Sequence, residues 1–311
     1  MALSLLGPLG LATALAATPP IPESEEPAPT WRWKKADKPV KVTVIAGSIG
    51  AFAGDSFHKR IGGVCENVEV RNLSKTGIGA LQMKQRFRGQ VLKNRYINLR
   101  AEEYEHWAIV ATGVNSIGMP EMTNHYIKGL VELAHGVGMK AVVLSPQPWG
   151  RDGLSKFKGL DGLAKRDATQ LVVDYVMGRN EPQAALGRYA AKRTVEADDD
   201  WSPSEVVDIG IDLYDSALRD ELAELRDVET MRRLLEKDRS WKKAHADLEP
   251  EAYEAALAAD AERAAAVPRF FMRPELRGFD YIHPNSEGHR AIAQVTCPSL
   301  PESWGCDCDA L

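Results

Sequence analysis

Short apolar, β-branched runs alternate along this chain with longer segments of helical spacing. Val42, Val44 and Ile45 open the pattern and read as a buried strand that ends at Ala46, Gly47 and Ser48. Further strands are expected over 67–73, 107–111, 139–144 and 205–209. Between them helices are expected over 49–61, 121–136 and 160–178, the first weakened by Gly50 and Gly54. Ile127, Leu130, Val131 and Ala134 give the 121–136 segment an apolar stripe, and surface roles are expected for His125 and His135. Basic groups recur over 81–100 and read as a solvated helix face. Strand and helix in alternation predict an α/β fold, a parallel sheet covered on both faces.

The pattern changes after residue 209. Leu218, Leu222, Leu225, Met231 and Leu235 stand close to helical spacing, and 250–267 is rich in alanine. A helical hairpin inserted over 213–269 is the expectation, either a lid or a plain extension. Pro284 then keeps His283 out of helical geometry, and Asn285 or Ser286 caps a final helix over 286–295.

Composition narrows the classes. The chain has 311 residues and a formal net charge of −5, which argues against a nucleic-acid surface. No segment reaches the ~20 continuous apolar residues of a membrane span. Residues 1–17 are small and apolar, with Ala14, Leu15 and Ala16 resembling a signal-peptidase site, although no Lys or Arg precedes Arg32. Residues 18–40, rich in Pro, Glu and Lys, read as a disordered linker on which Trp31 and Trp33 pack at the end. The folded domain is expected over 41–296, with a cysteine-containing tail at 297–311. No Cys or His spacing fits a zinc site.

Three places carry candidate chemistry. Ser48 lies at the carboxyl end of a first parallel strand, where open α/β sheets bind ligands; it is a nucleophile or merely a helix cap. Asp280 precedes His283 by three residues, a spacing that lets a carboxylate hold one imidazole nitrogen and leave the other as a base. Asn115 follows the 107–111 strand, where its amide is a usable oxyanion donor. The stretch Ser145 to Gly150 is either a substrate wall or a rigid turn around a packed Trp149. His289, inside the final helix, is the rival base, expected to point away from Ser48.

At these residues the chain resembles the SGNH hydrolases, the GDSL esterase and lipase superfamily. The resemblance covers 41–117 and 204–294. It maps the nucleophile to Ser48, a backbone donor to Gly77 (Gly79 is the second choice), Gly-x-Asn to Gly113 and Asn115, and Asp-x-x-His to Asp280 and His283. The usual Gly-Asp-Ser is here Ala46-Gly47-Ser48, and Ser116 replaces an aspartate common after the asparagine. A literal Gly54-Asp55-Ser56 lies about two helical turns beyond the strand and is read as a decoy. The resemblance implies a flavodoxin-like three-layer sandwich with strand order 2-1-3-4-5. It also implies a Ser48–His283–Asp280 triad and an oxyanion hole of Ser48, Gly77 and Asn115. The implied activity is hydrolysis of a short acyl ester, on a small molecule or an acetylated glycan such as exported relatives use. A serine esterase would require neither metal nor organic cofactor. A carbohydrate O-acetyltransferase with the same site, or a non-catalytic binding domain, is the alternative.

Four cysteines beside a possible leader fit a secreted or periplasmic protein, with a cytoplasmic one as the alternative. In the implied sheet order the first and last helices share a face, so Cys65 is expected to bond one of the tail cysteines, Cys297 foremost. Cys306 and Cys308 would then form a small ring or stay reduced.

Overall fold

The computed structural model describes residues 38–94, 104–111, 114–191 and 207–311. The leader, Trp31, Trp33, nearly all of the linker, Gly113 and the first part of the expected fifth strand lie outside the described residues.

Five strands form one parallel sheet: β1 (Val40–Ala46), β2 (Val68–Asn72), β3 (Glu105–Ala111), β4 (Lys140–Leu144) and β5 (Ile209–Ile211). Their order is β2-β1-β3-β4-β5, as the resemblance implied. β1 and β3 are neighbours in a register that sets Ala46 against Ala111. The two strands therefore end side by side, and Ser48 and Asn115 emerge from one sheet edge. β5 is short and lies later than 205–209, ending beside β4 with Leu144 against Ile211.

Alternation divides β1 between two layers. Val40, Val42, Val44 and Ala46 share a core with Phe57 and Ile61 of α1 (Phe57–Val64) and with Ile292 and Ala293 of the last helix, Ser286–Thr296. Those two helices pack on each other. Lys41, Thr43 and Ile45 point to the opposite side. The other helices, α2 (Ala80–Phe87), α3 (Pro120–His135) and α4 (Asp161–Val176), pack in succession, α2 on α3 and α3 on α4. His125 of α3 is buried against Tyr126 and Tyr189, not at the surface as expected. His135 is half-exposed and bonds Asp208 at 2.8 Å.

α1 begins at Phe57, eight residues later than expected at 49. Residues 47–55 make turns instead, because Gly50 must sit where no side chain fits: a Cβ there would meet Ser74 Oγ at 2.3 Å and Ala46 Cβ at 2.6 Å. Ser74 Oγ is held there by the Ala46 N–H, 3.0 Å away.

The segment after β5 is a hairpin only from residue 228 onward. Residues 212–227 are turns and loop, with Leu218 buried but Leu222 95% exposed, so the apparent helical spacing there is fortuitous. α5 (Val228–Lys237), α6 (Arg239–Ala244) and α7 (Pro250–Ala265) follow, and α5 packs on α7. Trp241 closes the hairpin, donating to Asp260 at 2.8 Å. α7 also packs on α4, where Arg263 pairs with Asp167.

Cys65 bonds a tail cysteine as expected, but Cys306 and not Cys297. Residues 304–307 run back along the 64–67 turn: Asn67 N–H donates to Trp304 O (3.2 Å), Glu66 N–H to Gly305 O (3.1 Å) and Asp307 N–H to Val64 O (2.9 Å). Trp304 is fully buried against Trp107. This backbone pairing brings Cys306, not Cys297, to Cys65. Cys297 bonds Cys308. The expected shared face of the first and last helices holds; what sequence spacing did not reveal is that the tail itself pairs with the end of α1.

Candidate active site

The site forms where β1, β3 and β4 end and a late turn folds over them. Asp280-Tyr281-Ile282-His283 is that turn. Asp280 Oδ1 accepts the backbone N–H groups of Ile282 and His283, both at 3.0 Å. Gly278 N–H donates to His283 O at 2.7 Å and closes the turn. Asn285 then caps α8 (Ser286–Thr296), its Oδ1 accepting from Gly288 N–H at 2.9 Å.

Asp280 Oδ2 is bonded to His283 Nδ1. A carboxylate only accepts, so Nδ1 carries the proton and Nε2 is left as an acceptor. Ser48 Oγ lies 2.6 Å from that Nε2. Burial alone would raise the Asp280 pKa, but the bonds from the His283 backbone, the imidazole and Ile282 N–H outweigh it and hold the carboxyl below its ordinary value. The structure thus brings Ser48, His283 and Asp280 into one hydrogen-bonded line.

Asn115 stands beside Ser48 in the same pocket, with Gly47, Ile49, Ile78, Met83 and Ala111 in its wall. Its Nδ2 donates to Ile78 O at 3.0 Å. An amide nitrogen has two hydrogens, so the bond fixes the side chain and leaves one donor over. Gly47 permits this approach, since a Cβ there would lie 3.1 Å from Asn115 Nδ2 and 3.2 Å from Ile78 O.

The two glycines of the 74–79 loop differ. Gly79 caps α2 and spends its N–H on Gln82 Oε1 at 3.2 Å. Gly77 is exposed with φ of 78°, a left-handed conformation that glycine adopts freely. From this loop the pocket wall takes Ile78, between the two.

The stretch after β4 serves both expected purposes. Trp149 is buried, with its N–H on Thr169 Oγ1 at 3.2 Å, so this is a rigid turn. Ser145 and Gln147 nonetheless line the pocket. Ser145 Oγ accepts from Leu213 N–H at 2.9 Å and is committed to structure. No residue of the 213–269 insertion is among the described residues lining the pocket around Ser48.

The rival serine and histidine lie elsewhere. Ser56 is fully buried, 2.9 Å from His58 Nε2. His289 is 1% exposed and stacks on Phe52 at 4.4 Å. Burial, helped by the nearby His58 and Arg60 charges, pushes its pKa down to about 4. Sequence reasoning missed Ile282 as a wall residue, while Gln147 lies in the stretch expected as a wall or a rigid turn. Among the described residues no group of His, Cys, Asp and Glu is arranged to hold a metal ion, and no helix is long and apolar enough to cross a membrane.

No family model and no curated protein matches the chain. Several solved structures are similar to it at low identity. An inferred acylhydrolase from Bacteroides fragilis is 15% identical, with 87% of this chain and 90% of that one covered at a TM-score of 0.47. A GDSL-like lipase from Bacteroides thetaiotaomicron is 13% identical, covering 83% and 86% at 0.43. A single-residue variant of an acetyl xylan esterase from Geobacillus stearothermophilus is 10% identical, covering 86% and 94% at 0.40. These likenesses are distant, and the chemistry of the site stands on this chain's own residues.

Proposed function

We propose that this protein is a serine esterase acting on short acyl esters, acetyl above all, carried by a carbohydrate. The observation that carries the reading is the hydrogen-bonded line from Ser48 Oγ through His283 to Asp280. Ser48 Oγ attacks the ester carbonyl carbon while His283 Nε2 takes its proton. The oxyanion is held by the Ser48 N–H and the free hydrogen of Asn115 Nδ2, with the Gly77 N–H as the third donor that the resemblance implies. Collapse expels the alcohol, which receives the proton from His283. Water then attacks the acyl-enzyme, giving its proton to His283, and the carboxylic acid leaves as Ser48 recovers its hydrogen. Asp280 keeps the imidazole in the required tautomer and stabilises its cation.

The pocket lining supports an acyl site. The wall beside Ser48 includes the apolar side chains of Ile49, Ile78 and Met83, which suit the hydrocarbon part of an acyl group. The carbohydrate part of the reading follows from the superfamily resemblance, whose exported members include enzymes of acetylated glycans. Export of this chain belongs to the same proposal, supported by its small, apolar first residues and its paired cysteines.

Labelling with a fluorophosphonate probe tests the nucleophile. The adduct is expected on the peptide containing Ser48. A folded protein that takes no label, or takes it on another serine, contradicts the reading.

A further inference from the structure

Two guanidinium groups converge on Tyr281, the residue after Asp280 in the turn that presents His283. The Arg151 guanidinium lies 3.9 Å from the centre of the Tyr281 ring, and its Nη1 donates to the phenol oxygen at 2.6 Å. Arg277 stands 5.3 Å from the same ring and donates to Gly150 O at 3.2 Å. Tyr281 O accepts from Gly150 N–H at 2.6 Å. Tyr281 has φ of 61°, the one positive value among the described residues other than glycine. A bulky residue in that region is strained and persists where its surroundings hold it. The 150–151 backbone and the two arginines do so here.

The charges are the unexplained part. Like charges are held near one ring with no carboxylate in ion-pair contact with either among the described residues. Asp152 is taken by Arg226 at 2.6 Å and Glu275 by Arg273 at 3.3 Å. Burial lowers the Arg277 pKa and the Arg151 charge adds to this, while Asp220, Tyr281 and Glu275 oppose it from a distance. Lys156 is a further cation within electrostatic reach of Asp280. The chain as a whole carries −5, so this concentration of positive charge is local. Phe279, two residues before Tyr281, is 95% exposed.

Position links these features to substrate. The alcohol oxygen of the ester must come within hydrogen-bond reach of His283 Nε2 to receive its proton. The alcohol part therefore leaves the Ser48 pocket past the 279–283 turn. We propose that Arg151 and Arg277 form an anion subsite on this route, which takes the carboxylate of an acidic sugar, so that the substrate is an acetylated, hexuronate-bearing glycan. The inference rests on the esterase reading above. A guanidinium presents two parallel N–H donors that match a carboxylate, and a second guanidinium beside it gains from the same anion. Phe279 offers an apolar face to the C–H side of a sugar ring.

The test compares acetylated oligogalacturonate with the same oligomer methyl-esterified at its carboxyl groups, which keeps the rings and removes the charge. The kcat/KM of the wild type is expected to be at least about 10-fold higher on the free acid, one well-placed charged contact. In Arg151→Gln and Arg277→Gln the ratio should fall toward one. Because each ratio is taken within one preparation, the folded fraction of a variant cancels. A wild-type ratio near one overturns the proposal, and so does a high ratio that survives both substitutions together. Turnover of 4-nitrophenyl acetate without turnover of either glycan also overturns it while leaving the esterase reading in place. No turnover of any ester removes both.

Discussion

Ser48 Oγ lies 2.6 Å from His283 Nε2, although 235 residues separate the two. The contact needs β1 at the sheet centre and a turn that holds His283 by its backbone as well as its ring. Asp280 supplies both holds, with Oδ1 on the turn's N–H groups and Oδ2 on the imidazole. Asp280→Asn is expected to keep the turn but favour the wrong imidazole tautomer. A fall in kcat of about 10⁴ follows, with the protein still folded. Steady-state kinetics with circular dichroism on the same sample check this; a loss under about 10-fold contradicts it.

Asn115→Ala removes a donor fixed by Ile78 O. The expected loss is about 10²–10³ in kcat, or ~3 kcal/mol of transition-state stabilisation, with KM nearly unchanged. A change mainly in KM would make Asn115 a ground-state binding residue instead.

His289 predicts a pH dependence of stability. Its pKa is about 4 in the folded protein, set by burial, and returns to 6.5 when unfolded. Between those values the unfolded chain binds the extra proton, so stability rises with pH across that window and is lost as pH falls from 6.5 to 4. The group contributes about 3 kcal/mol across the window, since its ring is buried and its Nδ1 has no partner among the described residues. His58, lowered by burial beside it, adds in the same direction. Urea unfolding between about pH 4 and pH 7 should show a shallower dependence in His289→Gln than in the wild type. Equal slopes would contradict the assignment.

The disulfide pattern is open to direct mapping. Non-reducing digestion should link Cys65 to Cys306 and Cys297 to Cys308. Reduction of the first opens a loop with a sequence separation of 241, worth ~5.5 kcal/mol at most by loop entropy, so Cys306→Ser should unfold at lower denaturant. A Cys65–Cys297 peptide would contradict the tail pairing.

Much of the site was legible because its signals are local. A serine at a strand end and an aspartate three residues before a histidine each declare their geometry within a few positions. The strand order came with the family resemblance that those blocks carry. What was not legible depends on contacts between distant residues. Cys306 reaches Cys65 only because Trp304 buries itself on Trp107 and carries the tail's backbone with it. The delayed start of α1 reflects Ser74 Oγ occupying the space above Gly50. Leu222 and Leu225 kept helical spacing in a segment that is loop, because period alone does not say which side meets a core.

The identity of the nucleophile is the central claim, and Ser56 in Gly54-Asp55-Ser56 is its natural competitor. Ser56 is fully buried against His58, whereas Ser48 opens into the pocket. Hydrolysis of 4-nitrophenyl acetate by wild type, Ser48→Ala and Ser56→Ala decides between them. Ser48→Ala should lose at least about 10⁴ in kcat, and Ser56→Ala should retain turnover at the level its folded fraction allows. Full activity in Ser48→Ala, or a folded but inactive Ser56→Ala, would contradict the account.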